Sequence, residues 1–478
     1  MLFNSLQYLI FFSLVVTTYY LISYRFRWTF LLAASYYFYM CWKIEYVVLI
    51  IASTVSAYIA GILLDKHRES LNKKWILIAV LLFNLGILFL FKYYNFFNDS
   101  LRVVLNKFNI FYDTPSLKLL LPVGISFYTF QVISYLVDVY RGQITAERHF
   151  GYFAVFISFF PKLIAGPIER AGNLLPQFRE KAGFDYQRTT DGLKLIAWGL
   201  FKKMVIADRV AVYVDQIYNN PADYTGAPVI LATVLFAFQI YCDFSGYSDI
   251  AIGSGQVLGF RLMNNFNRPY SAKSVTEFWR RWHISLSTWL TDYIYTPVSI
   301  HFRNWGVPAL IYSLFVTFLA CGLWHGANWT FVIWGLLHGL LLSLDALTKK
   351  RRKKIQKLVP RALYNNISLA FTFSFLCFTY VFFRANSVSD AFLIINNMFS
   401  INLSNMNIDV TIMSRTDLIV AFLSIAGLEI VQFIQNKINI NQYIAAKPLL
   451  FRWGVYIAFT SYLLFFRTSG AEFIYFQF

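Results

Sequence analysis

The sequence predicts an all-α, polytopic integral membrane protein with about twelve transmembrane helices plus re-entrant or interfacial helices. Hydrophobic residues make up 58% of the 478 residues and charged residues only 14%, whereas soluble domains carry roughly 45–50% and 25%. Apolar runs of about membrane-spanning length recur along the chain. The net charge of +18 comes from basic residues that crowd into short loops between those runs, which indicates cytoplasmic loops and not a nucleic-acid partner. We expect one membrane-embedded domain over residues 1–478.

Twelve apolar segments are predicted to cross the membrane, since a crossing needs about 20 mostly apolar residues, or fewer in a short segment. The least regular segment, 193–214, is interrupted by charged side chains that include Lys202 and Lys203. Two further apolar stretches, 152–166 and 278–298, contain prolines. They are predicted to be re-entrant or interfacial, because irregular backbone at membrane depth must be packed in protein or line a wet cavity. The predicted spans are residues 6–24, 28–42, 46–64, 75–91, 119–140, 193–214, 229–252, 307–323, 329–346, 367–383, 418–434 and 449–466.

Basic loops set the predicted orientation. The densest cluster of lysines and arginines lies at residues 349–361, and a second lies at residues 65–74, so both loops are predicted to be cytoplasmic. The number of predicted crossings between them agrees with this assignment. Both chain termini then face outward, and the turn after span 307–323 lies toward the outer half of the membrane.

The turn at residues 319–331 carries the first candidate functional residue. His325 lies between two predicted spans, with Gly322 and Gly326 on either side of it. An imidazole titrates near neutral pH and can take and return a proton during a reaction. An ionisable group within a bilayer is also costly unless it has a function. The alternative is that His325 only hydrogen-bonds a neighbouring helix.

A second stretch is rich in tryptophan and arginine and also contains a histidine. The guanidinium groups of Arg280 and Arg281 suit phosphate oxygens, so they and the adjacent Trp282 are predicted to bind a phosphorylated ligand at a cytoplasmic opening. His283 follows Arg280 by three residues and is predicted to share its helical face, where it would position a substrate or support His325. The alternatives are that the arginines are interfacial anchors and that this histidine is structural.

A third stretch, residues 239–249, ends an apolar span with a polar patch that contains two carboxylates. Asp243 lies inside or at the edge of the bilayer and is expected to pair with an opposite charge, for which an arginine of the Arg280–Arg281 pair is the candidate. No GxSxG, Walker or metal-ligand spacing occurs in the sequence, and the glycines at 253, 255 and 259 do not follow a predicted strand as a nucleotide loop would. No metal and no permanently bound cofactor are therefore expected.

These three stretches together resemble the main motifs of the membrane-bound O-acyltransferase (MBOAT) family, in the same order. The closer resemblance is to its bacterial alginate O-acetyltransferase and peptidoglycan O-acetyltransferase branch, which residues 1–5 also resemble. The resemblance covers nearly the whole chain. It implies the MBOAT fold, in which tilted helices surround a thin centre pierced by a central tunnel, and a multi-pass location in the bacterial cell (inner) membrane.

The resemblance also implies roles for single residues. The catalytic histidine of the family falls on His325 and its second functional histidine falls on His283, while Asp243 is expected to orient or stabilise the site. Residues 473–478 are similar to a C-terminal Phe-x-Tyr-x-x-Phe motif. The tyrosine of that motif, Tyr475 here, would carry the acyl group briefly. The alternative is that this tail is an aromatic interfacial anchor.

The implied activity is membrane-bound O-acetyl transfer. The donor would be acetyl-CoA in the cytoplasm, with Arg280 and Arg281 near its phosphates. The acetyl group would pass to an extracytoplasmic (periplasmic) acetyltransferase- or esterase-like partner protein, and then to hydroxyls of a cell-surface polysaccharide as the final acceptor. Alginate, peptidoglycan and another exopolysaccharide are all compatible.

Two alternatives to O-acetyl transfer stay open. The nearer one is D-alanyl transfer to teichoic acid. A transporter or flippase for a lipid-linked precursor is an alternative of a different class, since membrane-embedded ionisable residues also build proton paths. Transporters often contain internal repeats, and none is evident in this sequence.

Overall fold

The computed structural model describes residues 1–400, 412–468 and 473–474, and these residues form α-helices joined by turns and short 3₁₀ and π segments, with no strand among them. The prediction of an all-α membrane protein is therefore confirmed. The chain forms two compact units, Met1–Leu193 with Ala251–Met263, and Lys194–Ile250 with Asn264–Phe478. The single membrane-embedded domain stays a prediction.

Nine helices lie wholly within the first unit. They are α1 (Leu6–Leu21), α2 (Arg27–Met40), α3 (Val47–Lys66), α4 (Lys73–Leu88), α5 (Tyr94–Lys107), α6 (Ile125–Tyr140), α7 (Phe150–Ser158), α8 (Phe160–Leu163) and α9 (Ala171–Leu174). Three further helices follow, which are α10 (Tyr186–Leu200), α11 (Asp208–Asn219) and α12 (Ala227–Leu258). Of these, α10 begins in the first unit, and α12 ends in it.

Close packing in the first unit depends on a glycine and on a broken helix. A Cβ atom at Gly61 of α3 would lie 2.6 Å from the hydroxyl oxygen of Tyr135 on α6, so glycine is what lets these two helices approach each other. The predicted stretch 152–166 forms the short helices α7 and α8 and not one long helix. Lys162 of α8 is fully buried, and its ammonium donates a hydrogen bond to the side-chain oxygen of Gln131 on α6.

The second unit contains the candidate functional residues. The π segment Phe201–Ala207 connects α10 to α11, and the π segment Thr291–Tyr295 connects α14 to α15. The helices after α12 are α13 (Val275–Trp279), α14 (Ile284–Leu290), α15 (Thr296–His301), α16 (Val307–His325), α17 (Trp329–Leu358), α18 (Arg361–Arg384), α19 (Val388–Phe399), α20 (Arg415–Ile434), α21 (Ile440–Ala445) and α22 (Leu449–Phe466).

A close crossing at α12 positions the lysines that interrupt the predicted span 193–214. A Cβ atom at Gly199 would lie 2.5 Å from the carbonyl oxygen of Gly246, so the two backbones touch, as is typical where small residues meet between membrane helices. The π segment starts two residues after Gly199. The ammonium of Lys202 consequently reaches the carboxylate of Asp249 on α12, with 2.6 Å between nitrogen and oxygen.

The helices α16 and α17 form the predicted hairpin. A Cβ atom at Gly322 would lie 2.3 Å from the carbonyl oxygen of Phe331, and one at Gly335 would lie 2.3 Å from the carbonyl oxygen of Phe318. The two helices therefore pack backbone to backbone near the turn. Asn328 caps α17, because its side-chain oxygen accepts a hydrogen bond of 3.1 Å from a backbone N–H of the first turn.

Eight helical runs in the described part of the chain are long and apolar enough to cross a membrane, so the multi-pass prediction is confirmed but the count of twelve is not. Three of the other predicted spans coincide with α1, α2 and α6, which have 16, 14 and 16 residues. The fourth coincides with the charged run from α10 to α11. The eight candidate spans are Ile44–Lys66, Lys73–Lys107, Ala227–Leu258, Val307–His325, Trp329–Leu358, Arg361–Arg384, Arg415–Ile434 and Leu449–Phe466.

Candidate active site

The hairpin places His325 at the last residue of α16, inside an aromatic cage. Its side chain is only 2% exposed. The ring centroids of Trp324, Trp334 and Phe383 lie 5.0, 5.0 and 5.2 Å from that of the imidazole. Because this surrounding excludes bulk water, any hydrogen bond or charge interaction that the imidazole makes is stronger than it would be in solvent.

The two candidate histidines pack against the same tryptophan, Trp324. The indole of Trp324 is 5.0 Å from the imidazole of His325 and 5.7 Å from that of His283, measured between ring centroids. The structure thus brings together two residues that belong to different sequence motifs. Such convergence of ionisable groups in a buried region is typical of a catalytic site.

The predicted relation between His283 and Arg280 is wrong. The helix α13 ends at Trp279 and α14 begins at Ile284, so the two residues lie in the turn between two helices and share no helical face. His283 itself has a φ angle of +41°, which is an uncommon conformation for a residue other than glycine. The segment 278–298 consists of short, interrupted helices, and its re-entrant or interfacial position stays a prediction.

Asn265 holds His283 in this conformation. Its side-chain oxygen accepts hydrogen bonds from the hydroxyl and the backbone N–H of Ser285, at 2.9 and 3.3 Å, and lies 3.0 Å from Nδ1 of His283. Its side-chain nitrogen donates to the hydroxyl of Ser248 at 3.1 Å.

This arrangement determines the tautomer of His283. Because an amide oxygen only accepts hydrogen bonds, Nδ1 of His283 carries the proton and Nε2 carries the lone pair. His283 lies outside the candidate spans, and burial lowers its pKa to about 3. The imidazole is therefore neutral near pH 7, and its Nε2 is unprotonated.

Arg280 lines a cavity of about 510 Å³ in the second unit. The walls are mostly apolar and include Trp279, Leu314 and Phe318, whereas Asp292 and several hydroxyl side chains add polar groups. Arg280 is exposed, and it has no ion-pair partner in the described part of the chain. A guanidinium in this position can bind an anionic group at the edge of an apolar cavity.

The other two predicted ligand-binding residues do not line this cavity. Arg281 is engaged within the protein, since it donates hydrogen bonds to the carboxylate of Glu277 at 2.7 Å and to the hydroxyl of Ser271 at 3.2 Å. Trp282 is buried in a cluster of aromatic rings. A role of either residue in binding a ligand stays a prediction.

Two tryptophans separate the cavity from His325. The indole of Trp279 lines the cavity and packs against Trp334 at 5.8 Å, and Trp334 packs against His325 at 5.0 Å. His338 of α17 lies beside this pair, and its Nδ1 accepts a hydrogen bond of 3.2 Å from Nε1 of Trp279.

The predicted pairing of Asp243 with an arginine is wrong. Its carboxylate lies 2.7 Å from the ammonium of Lys203, which also lies 2.6 Å from the carboxylate of Asp208. The reason is geometric, because the π segment directs Lys203 toward α12 while Arg281 is held by Glu277. Asp243 nevertheless lies near the candidate histidines. Its neighbour on α12 is Phe244, and the ring centroid of Phe244 lies 4.6 Å from that of His283.

Part of the C-terminal segment lies at the same place. The backbone N–H of Ile474 donates a hydrogen bond of 2.7 Å to the second carboxylate oxygen of Asp243. The ring of Phe473 packs against Tyr247 with 4.4 Å between centroids, and both Phe473 and Ile474 are buried. Tyr475, the predicted acyl carrier, lies outside the described residues.

Sequence reasoning missed three residues of this site, which are Asn265, Lys203 and Trp334. An asparagine that orients a histidine through a tertiary contact has no local pattern in the sequence. Lys203 was visible as an unexpected charge in a predicted span, and that charge was the signal that a buried carboxylate partner exists.

The fold and the site define a multi-pass membrane protein with a buried histidine pair beside a cavity. Residues 143–387 match the family described as MBOAT, membrane-bound O-acyltransferase family. The chain belongs to this family and is an acyltransferase. The resemblance seen in the three sequence motifs is thereby confirmed.

Three curated proteins illustrate the range of relatives. The probable alginate O-acetylase AlgI of Pseudomonas putida is 38% identical over 447 residues, which cover 91% of this chain and 89% of that protein. The peptidoglycan O-acetyltransferase of Helicobacter pylori is 35% identical over 401 residues, which cover 78% and 73%. The teichoic acid D-alanyltransferase of Bacillus subtilis is 28% identical over 274 residues, which cover 55% and 68%.

Proposed function

We propose that this protein resides in a bacterial inner membrane and passes acetyl groups from acetyl-CoA on the cytoplasmic side toward a polysaccharide outside the membrane. The observation that carries the proposal is the buried pair of His325 and His283, which share the indole of Trp324 in a chain of the acyltransferase family. The similarity to proteins named for alginate and peptidoglycan O-acetylation supports an acetyl group as cargo and a polysaccharide as final acceptor.

The cavity beside Arg280 supports a phosphorylated thioester as donor. Its apolar walls suit the pantetheine arm and the acetyl group, and the exposed guanidinium suits the phosphates of coenzyme A. Arg281 contributes less directly in this proposal, because its guanidinium is held by Glu277 and Ser271. The thioester would lie against Trp279, and His325 would lie behind the neighbouring Trp334.

In the proposed reaction His325 acts as general base. Its imidazole takes the proton of an acceptor hydroxyl while the hydroxyl oxygen attacks the thioester carbonyl. The carbon–oxygen bond forms, the carbon–sulfur bond breaks, and the imidazolium returns its proton to the departing thiolate. His283 supports this step with the fixed lone pair at Nε2, as a positioning residue.

The first acceptor would be the hydroxyl of Tyr475 near the end of the chain. The anchoring of Ile474 to Asp243, close to His283, supports this assignment. In a second transfer the acetyl group would pass from the tyrosine ester to a hydroxyl of an extracytoplasmic partner protein, which regenerates the tyrosine. The partner would then acetylate the polysaccharide.

The test is replacement of His325 with alanine in cells that make the protein at wild-type level. We expect loss of O-acetyl groups from the surface polymers, which NMR of the isolated polymers measures directly. A matched control is His301→Ala, since His301 is an exposed imidazole in the same unit and should leave acetylation unchanged. Normal acetylation in His325→Ala would remove the proposed mechanism, and loss of D-alanyl esters in place of acetyl esters would move the function to teichoic acid.

A further inference from the structure

Hydrogen bonds at two residues anchor the C-terminal segment within the second unit. After α22 ends at Phe466, the backbone N–H and the hydroxyl of Thr468 both donate to the carbonyl oxygen of Met204, at 2.9 and 2.8 Å. Further on, the backbone N–H of Ile474 donates to Asp243. The segment is therefore attached at Thr468 and again at Ile474.

Both anchors depend on the π segment Phe201–Ala207. In a π segment the regular ladder of α-helical hydrogen bonds is shifted, and such segments are frequent at functional sites. The carbonyl of Met204 in this segment accepts two hydrogen bonds from Thr468. The residue before it, Lys203, holds the carboxylate of Asp243, which accepts the bond from Ile474.

Buried charges beside the C-terminal segment lower the stability of the fold and are usually kept for a function. Lys203, Asp208 and Asp243 are all buried, and their side chains combine one positive and two negative charges. Burial of charged groups is unfavourable before their mutual attraction is counted, because they lose their hydration. The backbone N–H of Ile474 supplies a further donor to the carboxylates, and this donor comes from the C-terminal segment itself.

We propose that Lys203, Asp243 and the Met204 carbonyl form a docking socket for the C-terminal segment, in which Asp243 is a positioning residue. The socket adjoins the histidine site, because the ring of Phe244 lies 4.6 Å from the imidazole of His283 and 6.1 Å from the ring of Phe473. The docking of the segment is inferred from these contacts alone. Its use, which is to present the hydroxyl of Tyr475 to His325, rests on the proposed function.

The docking is tested by proteolysis of the full chain in detergent. A Glu-specific endoprotease cuts after Glu472, and the released peptide 473–478 is measured by mass spectrometry. Cleavage requires the buried side chain of Phe473 to leave its contact with Tyr247. The decisive variant is Ile474→Pro, which removes the N–H donor and leaves the ion pairs of the helices intact. Its control is Ile474→Val, which keeps the donor.

A second pair of variants tests the acceptor. Asp243→Ala removes the carboxylate that binds the segment. Asp249→Asn is matched to it, because Asp249 pairs with Lys202 of the same π segment and contacts no described residue of the C-terminal segment. We expect peptide release about 10- to 100-fold faster in Ile474→Pro and Asp243→Ala than in the wild type. The two controls should stay within about twofold.

Two results would overturn the socket. One is release from Ile474→Pro at the wild-type rate, which is informative even where Asp243→Ala does not fold. The other is release from Asp249→Asn as fast as from Asp243→Ala, since the effect would then be a general loosening of the helices.

Turnover of acetyl-CoA gives a separate measurement of the use of docking. For Ile474→Pro we expect kcat to fall about tenfold while the apparent KM for acetyl-CoA stays within about twofold, because the cavity at Arg280 is untouched. Unchanged turnover in Tyr475→Phe would remove the tyrosine relay, and the proteolysis result would still decide whether the segment docks.

Discussion

Replacement of Asn265 with leucine should disable the site through His283. Leucine has nearly the shape of asparagine, but it removes the oxygen that lies within hydrogen-bond distance of the Ser285 hydroxyl, the Ser285 N–H and Nδ1 of His283. A buried hydrogen bond contributes about 0.5–1.5 kcal/mol. The loss of these bonds should therefore lower the free energy of unfolding by roughly 2–4 kcal/mol.

The activity should fall by more than the stability loss alone explains. The variant lacks the amide oxygen that holds the proton on Nδ1 of His283, so we expect the lone pair at Nε2 to be less firmly fixed. Removal of the outer hydrogen-bond partners of metal-binding histidines costs about 10- to 100-fold in affinity or activity, and we expect a loss of similar size here. Turnover of radiolabelled acetyl-CoA by the purified, folded variant measures this loss, and Asn264→Leu at the exposed neighbouring position is the matched control.

A double-mutant cycle separates a positioning role from a structural one. If Asn265 acts through His283, then Asn265→Leu in a His283→Ala background should lower turnover by less than about twofold. Equal losses in both backgrounds would refute the reasoning, because Asn265 would then affect catalysis by another route. Wild-type thermal stability of Asn265→Leu would refute the hydrogen-bond assignment itself.

Two further pairs of substitutions test the cavity and the hairpin. Arg280→Gln should raise the apparent KM for acetyl-CoA about tenfold with little loss of stability. Arg281→Gln should act mainly on stability, because it breaks the contact with Glu277. Steady-state kinetics and thermal unfolding distinguish the two effects. Gly322→Ala should abolish folded protein, since its Cβ atom would lie 2.3 Å from a backbone carbonyl oxygen of α17. Gly454→Ala in α22 meets nothing within 4 Å and should stabilise the helix by about 0.5–1 kcal/mol, as fluorescence-detected size-exclusion after heating can measure.

Hydropathy predicted the helical class and the α16–α17 hairpin because both depend on local sequence. Its errors in span length also have local causes. The predicted span 119–140 begins as a helix only at Ile125, because Pro122 cannot continue a hydrogen-bonded backbone and Gly124 adopts a φ angle of +75°. The helix that remains has 16 residues, which is fewer than the roughly 20 that a transmembrane helix requires.

The position of His283 could not be predicted from spacing. The i, i+3 argument assumes a continuous helix, and the helix stops here because Asn265, which lies in a different loop, holds both His283 and the start of α14. This contact joins residues that are distant in sequence, so a periodic pattern does not contain it. The choice of His283 as a candidate rested on residue chemistry and not on spacing, and its role in the site stays a prediction.

The partner of Asp243 was mispredicted for a related reason. The sequence offered two arginines in a neighbouring motif, and the lysine that pairs with Asp243 lies in a stretch whose charges made it the least regular span. Only the π segment, combined with the backbone contact of Gly199 and Gly246, directs Lys203 onto this face of α12. Neither feature has a signature in a single sequence.

Two consecutive residues of α12 connect the parts of the site. Asp243 binds the C-terminal segment through the N–H of Ile474, and Phe244 packs against the imidazole of His283. Because the two residues are adjacent on one helix, a shift of α12 that releases the segment should also move the ring of Phe244 against His283. We therefore expect a variant that undocks the segment to change the environment of the His283 ring, which NMR of selectively labelled histidine can observe.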